Sequence, residues 1–154
     1  MTYDQKVKDF LNQKIIAVAG VSRNPKTEVG NAIYKKLRDS GYTVFPINPF
    51  AESIEGDKCY PSLKVTPQKA DAVFITTNPS ASLDIVKECA EAGISRVWFH
   101  RSFGVGSFSE SAAKFGDENG LTVIRSGCPM MFIKNADGGH RMIAFFMRIF
   151  GKLK

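Results

Sequence analysis

A chain of 154 residues, 44% hydrophobic and 23% charged, has the size and make-up of one globular domain with a sizeable core. Its formal net charge of +6 favours an anionic partner, either a phosphorylated small molecule or nucleic acid, although the basic residues are scattered outside the C-terminal segment. Three cysteines without a CxxC pair and only two histidines argue against a disulfide framework and a zinc site, and no apolar run approaches the ~20 residues that span a bilayer.

The opening stretch, MTYDQKVKDFLNQK, is charged and amphipathic and lacks the apolar centre of a signal peptide, so a cytoplasmic protein is expected. KIIAVAG (14–20) reads as a fully buried strand ending at Gly20. Val29–Asp39 follows as a helix, with Ile33 and Leu37 on one face, Lys35, Lys36 and Arg38 on the other, and Gly41 as its terminator. YTVFPINP (42–49) gives a second strand stopped by Pro49, and EGDKCYPSL (55–63) an irregular edge or turn. ADAVFITT, SRVWFH and LTVIRS supply three further strands. The helices between them are NPSASLDIVKECAEAG, with Pro79 in its first turn, and GSFSESAAKFGDENG, entered through serines and closed at Gly120. This alternation predicts a single α/β domain over 1–154, a doubly wound Rossmann-like fold. It has five strands in a mainly parallel sheet with helices on both faces.

Ligands of such sheets collect beyond the carboxyl ends of the strands, where strand order switches. The first tip carries Gly20, Ser22, Arg23, Asn24, Lys26 and Thr27 ahead of a helix, a setting suited to an anion. It is neither a Walker loop nor a GxGxxG turn, and Gly20 also serves a plain strand-to-helix turn. The second tip, FPINPF, has no acid until Glu52, whereas dehydrogenases place a carboxylate there for the adenosine ribose. A ligand with a phosphate on that ribose, coenzyme A or NADP, is compatible with this, and so is a merely structural Asn–Pro turn.

Taken together, AVAGVSRNPKTEVGNAIYKKLRDSGYTVFPINP, CYPSL, DAVFITTNPSASLDIVKECAEAG, VWFHRSFG and GLTVIRSGCPMM resemble the stand-alone CoA-binding domain family, itself similar to the N-terminal domain of the succinyl-CoA synthetase α chain. The resemblance covers roughly residues 12–132. It implies that Gly20, Val21, Ser22, Arg23, Asn24 and Pro25 cradle the CoA phosphates, with Lys26 as a further source of charge, and that Gly30 permits close approach of the helix. It implies that Asn48 and Pro49 line the adenosine-ribose side, and that Thr76, Thr77 and Asn78 contact the adenine and pyrophosphate. Ser102 and Gly104 fall towards the pantetheine arm, and Cys128 and Pro129 match a Cys-Pro turn. Two positions depart from the pattern: Ala51 stands where the synthetase domain has a lysine, and HRSFG (100–104) replaces a segment that often carries Gln.

Catalysis is not expected. His100 at a strand tip and Cys128 are the candidate base and nucleophile, but no paired acid or Ser/His/Asp arrangement accompanies them. GGHRMIAFFMRIFGKLK predicts a basic amphipathic helix over roughly 139–150, with Arg141, Arg148 and Lys152 on one face. It is expected to dock on its own sheet or at a contact with a second copy or partner protein, rather than insert stably in a membrane. The sequence therefore predicts a non-catalytic binder of coenzyme A or an acyl-CoA. The alternative is an NADP-dependent oxidoreductase using the same tips. A nucleic-acid partner is not expected, for want of a clustered basic-aromatic surface.

Overall fold

The computed structural model describes residues 1–24 and 28–153. The elements are α1 (Tyr3–Leu11), β1 (Ile15–Ala19), α2 (Val29–Asp39), β2 (Thr43–Ile47), β3 (Ser53–Ile54), β4 (Asp57–Lys58), β5 (Ala72–Ile75), α3 (Pro79–Glu91), β6 (Arg96–Phe99), α4 (Glu110–Glu118), β7 (Thr122–Ile124) and α5 (Gly138–Ile149). Single 3₁₀ turns occupy Leu63–Val65 and Pro129–Met131.

Five strands form one all-parallel sheet in the order β2-β1-β5-β6-β7, which is the doubly wound α/β arrangement expected. The chain leaves β1 towards β2, then returns to the other side of β1 to build β5, β6 and β7. The order therefore switches between β1 and β5. Alternation along β1 divides the core. Ile16 and Val18 join Phe74, Trp98 and Ile124 under α1, α2 and α5, whereas Ala17 and Ala19 join Val73, Val97 and Phe99 under α3 and α4. Trp98, fully buried, takes the edge of Phe10 at 5.2 Å and of Phe74 at 5.8 Å between centroids.

Several details go beyond the sequence reading. The amphipathic opening stretch is a helix, started by a capping box in which the Thr2 hydroxyl accepts from the Gln5 amide and the Gln5 side chain accepts from the Thr2 amide. Strand β2 stops at Ile47, and Pro46 lies inside it, which an edge strand tolerates because its outer side needs no ladder donor. The stretch 55–63, expected to be irregular, contributes β4 of a small antiparallel hairpin with β3, closed by Glu55 and Gly56, both at positive φ. Asp57 ties that hairpin to α2, accepting from Tyr34 Oη at 2.5 Å and Arg38 Nη1 at 2.7 Å.

Helix α5 packs Ala144 and Met147 onto the α1/α2 face, and Arg148 pairs with Asp4 of α1 at 2.8 Å. Its outer side leaves Met142, Phe145, Phe146, Ile149 and Phe150 exposed. No helix among the described residues is long and apolar enough to cross a membrane.

Candidate functional site

A cleft of about 540 Å³ opens at the switch point between the tips of β1 and β5, within the size range of small-ligand sites. Its walls bring together Gly20, Val21 and Ser22 from the first tip, Asn48 and Pro49 from the second, and Thr76, Thr77 and Asn78 from the third. Phe50, largely exposed, and Pro61 stand beside them, while Ala81, Ile85 and Glu88 of α3 form one wall.

Gly20 makes the tight geometry possible. Its φ is +102°, and a β-carbon there would lie 2.6 Å from the Thr77 amide nitrogen and 2.7 Å from the Thr76 carbonyl carbon. Gly30 does not line the cleft. It lets α2 press against the two tips, since a β-carbon would meet Thr76 Oγ1 at 2.6 Å and the Gly20 carbonyl oxygen at 2.9 Å. Thr76 locks the same junction by donating from its hydroxyl to the Ala19 carbonyl at 3.0 Å.

The loop after Gly20 is held by a residue that sequence reasoning missed. Asn31, buried in the first turn of α2, accepts from the Ser22 amide at 2.7 Å and donates to the Ser22 carbonyl at 2.9 Å. Its amide nitrogen also donates to Glu55 Oε1 at 3.1 Å, so the hairpin braces the clamp. The Ser22 hydroxyl in turn accepts from the Asn24 amide at 3.1 Å. Asn48 is spent on the scaffold as well: it donates to the Val21 carbonyl at 2.7 Å and accepts from the Phe50 amide at 2.8 Å. Its contribution to the wall is therefore shape rather than a free amide group.

Two helices begin at this cleft, and neither N-cap side chain caps its helix. Glu28 before α2 and Asn78 before α3 make no side-chain capping bond. In contrast, Thr2, Ser109 and Asp137 cap α1, α4 and α5. The first amides of an α-helix have no intrahelical acceptor, so α2 and α3 present donors and the positive ends of their dipoles to the cleft. Pro79 at the first position of α3 removes one donor there. Among the described residues the lining holds two carboxylates, Glu28 and Glu88, and no lysine or arginine. Any anion admitted would rely on amides and on Arg23, exposed on the adjoining loop. Asn24 is exposed on that loop too, and Pro25 and Lys26 lie outside the described residues.

The remaining predicted residues are not in this cleft. Ser102 and Cys128 border a separate cavity of about 230 Å³ on the α2/α5 side, and Gly104 sits on the exposed β6–α4 loop with open space around its α-carbon. His100 lines that second cavity, and burial holds its pKa below the usual value. Burial pushes the Cys128 thiol up to about 12, which suits a small packed side chain and not a nucleophile.

The family described as CoA binding domain matches residues 14–134. The α subunit of an ADP-forming acetate–CoA ligase II from Pyrococcus furiosus is 34% identical over 89 residues, which are 57% of this chain and 19% of that subunit, so the chain spans about a fifth of that relative's length. An uncharacterized protein of Bacillus subtilis, YneT, is 28% identical over 80% of this chain and 88% of its own. Among solved structures, a hypothetical protein from Pyrococcus horikoshii superposes with a TM-score of 0.76 at 31% identity, covering 84% of this chain and 88% of that one.

Proposed function

Because the chain belongs to the CoA binding domain family, we propose that the switch-point cleft binds coenzyme A or an acyl-CoA and performs no chemistry on it. The observation that carries this reading is the convergence on one cleft of two helix N-termini whose N-cap residues, Glu28 and Asn78, make no side-chain capping bond, beside a glycine turn shaped for close backbone approach. In this reading the pyrophosphate lies against the Gly20–Asn24 loop and the start of α2. Thr76, Thr77 and Asn78 face the adenine and pyrophosphate. Pro49 shapes the ribose side, and the exposed ring of Phe50 offers the adenine a stacking face. Arg23 supplies the charge that offsets Glu28, standing in for the lysine absent at Ala51. The described lining contains neither histidine nor cysteine, which suits a carrier or sensor of the coenzyme. The exposed apolar side of α5 serves, in the same reading, as the contact for a second copy of the chain.

Arg23→Glu tests the loop's part. The variant is expected to bind CoA roughly tenfold or more weakly by calorimetric titration, since one charge-assisted contact is worth about 1.5–3 kcal/mol. Its thermal midpoint is expected to move little, because the side chain is exposed. An unchanged dissociation constant would remove this loop from the site.

A further inference from the structure

The second cavity has a character unlike the first. Val29, Ala32, Met130, Met131 and Ile143 give it apolar walls, and both histidines of the chain, His100 and His140, reach it from elements forty residues apart. His140 is fixed there: Asp137 accepts from its backbone amide at 2.9 Å and pairs with its Nδ1 at 2.7 Å, leaving Nε2 as the free ring nitrogen. His140 and Ile143 lie on α5, beyond the segment 14–134 that matches the family, so this wall belongs to this chain's own C-terminal helix. No group of three His, Cys, Asp or Glu side chains among the described residues is placed to hold a metal ion. An apolar cavity of about 150 Å³ takes a benzene-sized guest, so about 230 Å³ has room for a short aliphatic one. The methionines adapt their shape to such a guest.

Both cavities take part of their wall from the start of α2. Glu28 is in the wall of the cleft and Val29, its neighbour about 3.8 Å away along the chain, is in the wall of the second cavity. We infer that this second cavity is an acyl pocket, which receives the short apolar acyl group of an acyl-CoA whose nucleotide half occupies the switch-point cleft. The inference rests on the coenzyme reading above. The pocket selects by apolar contact: among the described residues no lysine or arginine lines it, so a carboxylate-bearing acyl group finds no partner ion there. The free Nε2 of His140, the His100 ring and the Ser102 hydroxyl are polar groups available to orient the thioester carbonyl.

Titration of the purified chain with CoA, butyryl-CoA, hexanoyl-CoA and succinyl-CoA tests this. Affinity is expected to rise along the first three, by up to about fourfold for each methylene buried, with succinyl-CoA gaining nothing over free CoA. Ala32→Trp, at an exposed helix position on the cavity wall, is expected to abolish the hexanoyl advantage and leave the affinity for free CoA unchanged. Equal affinity for CoA and hexanoyl-CoA, or an advantage that survives Ala32→Trp, would overturn the acyl pocket while leaving the coenzyme reading standing. Failure of every one of these ligands to bind would overturn both.

Discussion

A Gly20→Val protein is expected to lose CoA binding and to unfold at markedly lower denaturant than the parent. The left-handed backbone at φ +102° costs a non-glycine residue about 1–2 kcal/mol. The β-carbon also meets backbone that cannot swing away, the Thr77 nitrogen at 2.6 Å and the Thr76 carbonyl carbon at 2.7 Å, besides the Thr76 hydroxyl oxygen at 2.7 Å. Relieving such overlap costs about 1–3 kcal/mol more and has to move the tips of β1 and β5 apart. Those tips are two walls of the cleft, so the loss of binding comes from displaced geometry and not from a missing contact. Gly41→Ala is the control. Gly41 has a comparable φ of +94° but nothing within 4 Å of a β-carbon, so only the backbone cost should appear and binding should be retained. Urea unfolding and titration of both variants measure the two effects separately. A Gly20→Val protein with the parent's dissociation constant would show that the cleft does not depend on this turn.

Asn31 is expected to be the most sensitive side chain outside the lining. Asn31→Leu removes the acceptor for the Ser22 amide and the donor to the Ser22 carbonyl at a buried position. Each buried group left without a partner costs about 1–3 kcal/mol. The loop that starts the site is then released, and CoA affinity is expected to fall by roughly tenfold or more even where the protein remains folded. Asn31→Asp separates the two halves of the clamp. A carboxylate keeps the acceptor for the Ser22 amide, loses the donor to the Ser22 carbonyl, and faces the Glu55 carboxylate that Asn31 now satisfies at 3.1 Å. Its stability is therefore expected to recover as pH falls and the new carboxyl protonates, because protonation restores a donor and removes the repulsion. A pH-independent deficit in Asn31→Asp would contradict this account of the clamp.

Much of the frame was legible because its periodicity is local. The strand-helix alternation and the bounds of α2, Val29–Asp39, follow from residues close together in the chain. The first, second and third tips converge because the strand order switches beside β1, which the alternation itself anticipates. The role of Asn31 was not legible. On an amphipathic helix a polar residue at that place reads as solvent-facing, and its partners stand nine residues earlier and twenty-four later. That Ser102 and Cys128 border a different cavity from Ser22 was not legible for a related reason. A strand tip can be read from sequence, but the face of the sheet on which its loop settles depends on which helices cover it, and α5 claims that side. Proline 46 inside β2 shows the converse: an outer strand admits a residue that local rules would place at its end.

The central claim is that the switch-point cleft is built for coenzyme A, and calorimetric titration of the same protein with CoA, NADP and NAD tests it most directly. The expected result is saturable binding of CoA with a dissociation constant below millimolar, and binding of NADP and NAD at least about tenfold weaker, a difference of ~1.4 kcal/mol. Saturable NADP binding with no CoA binding below millimolar concentration would contradict it.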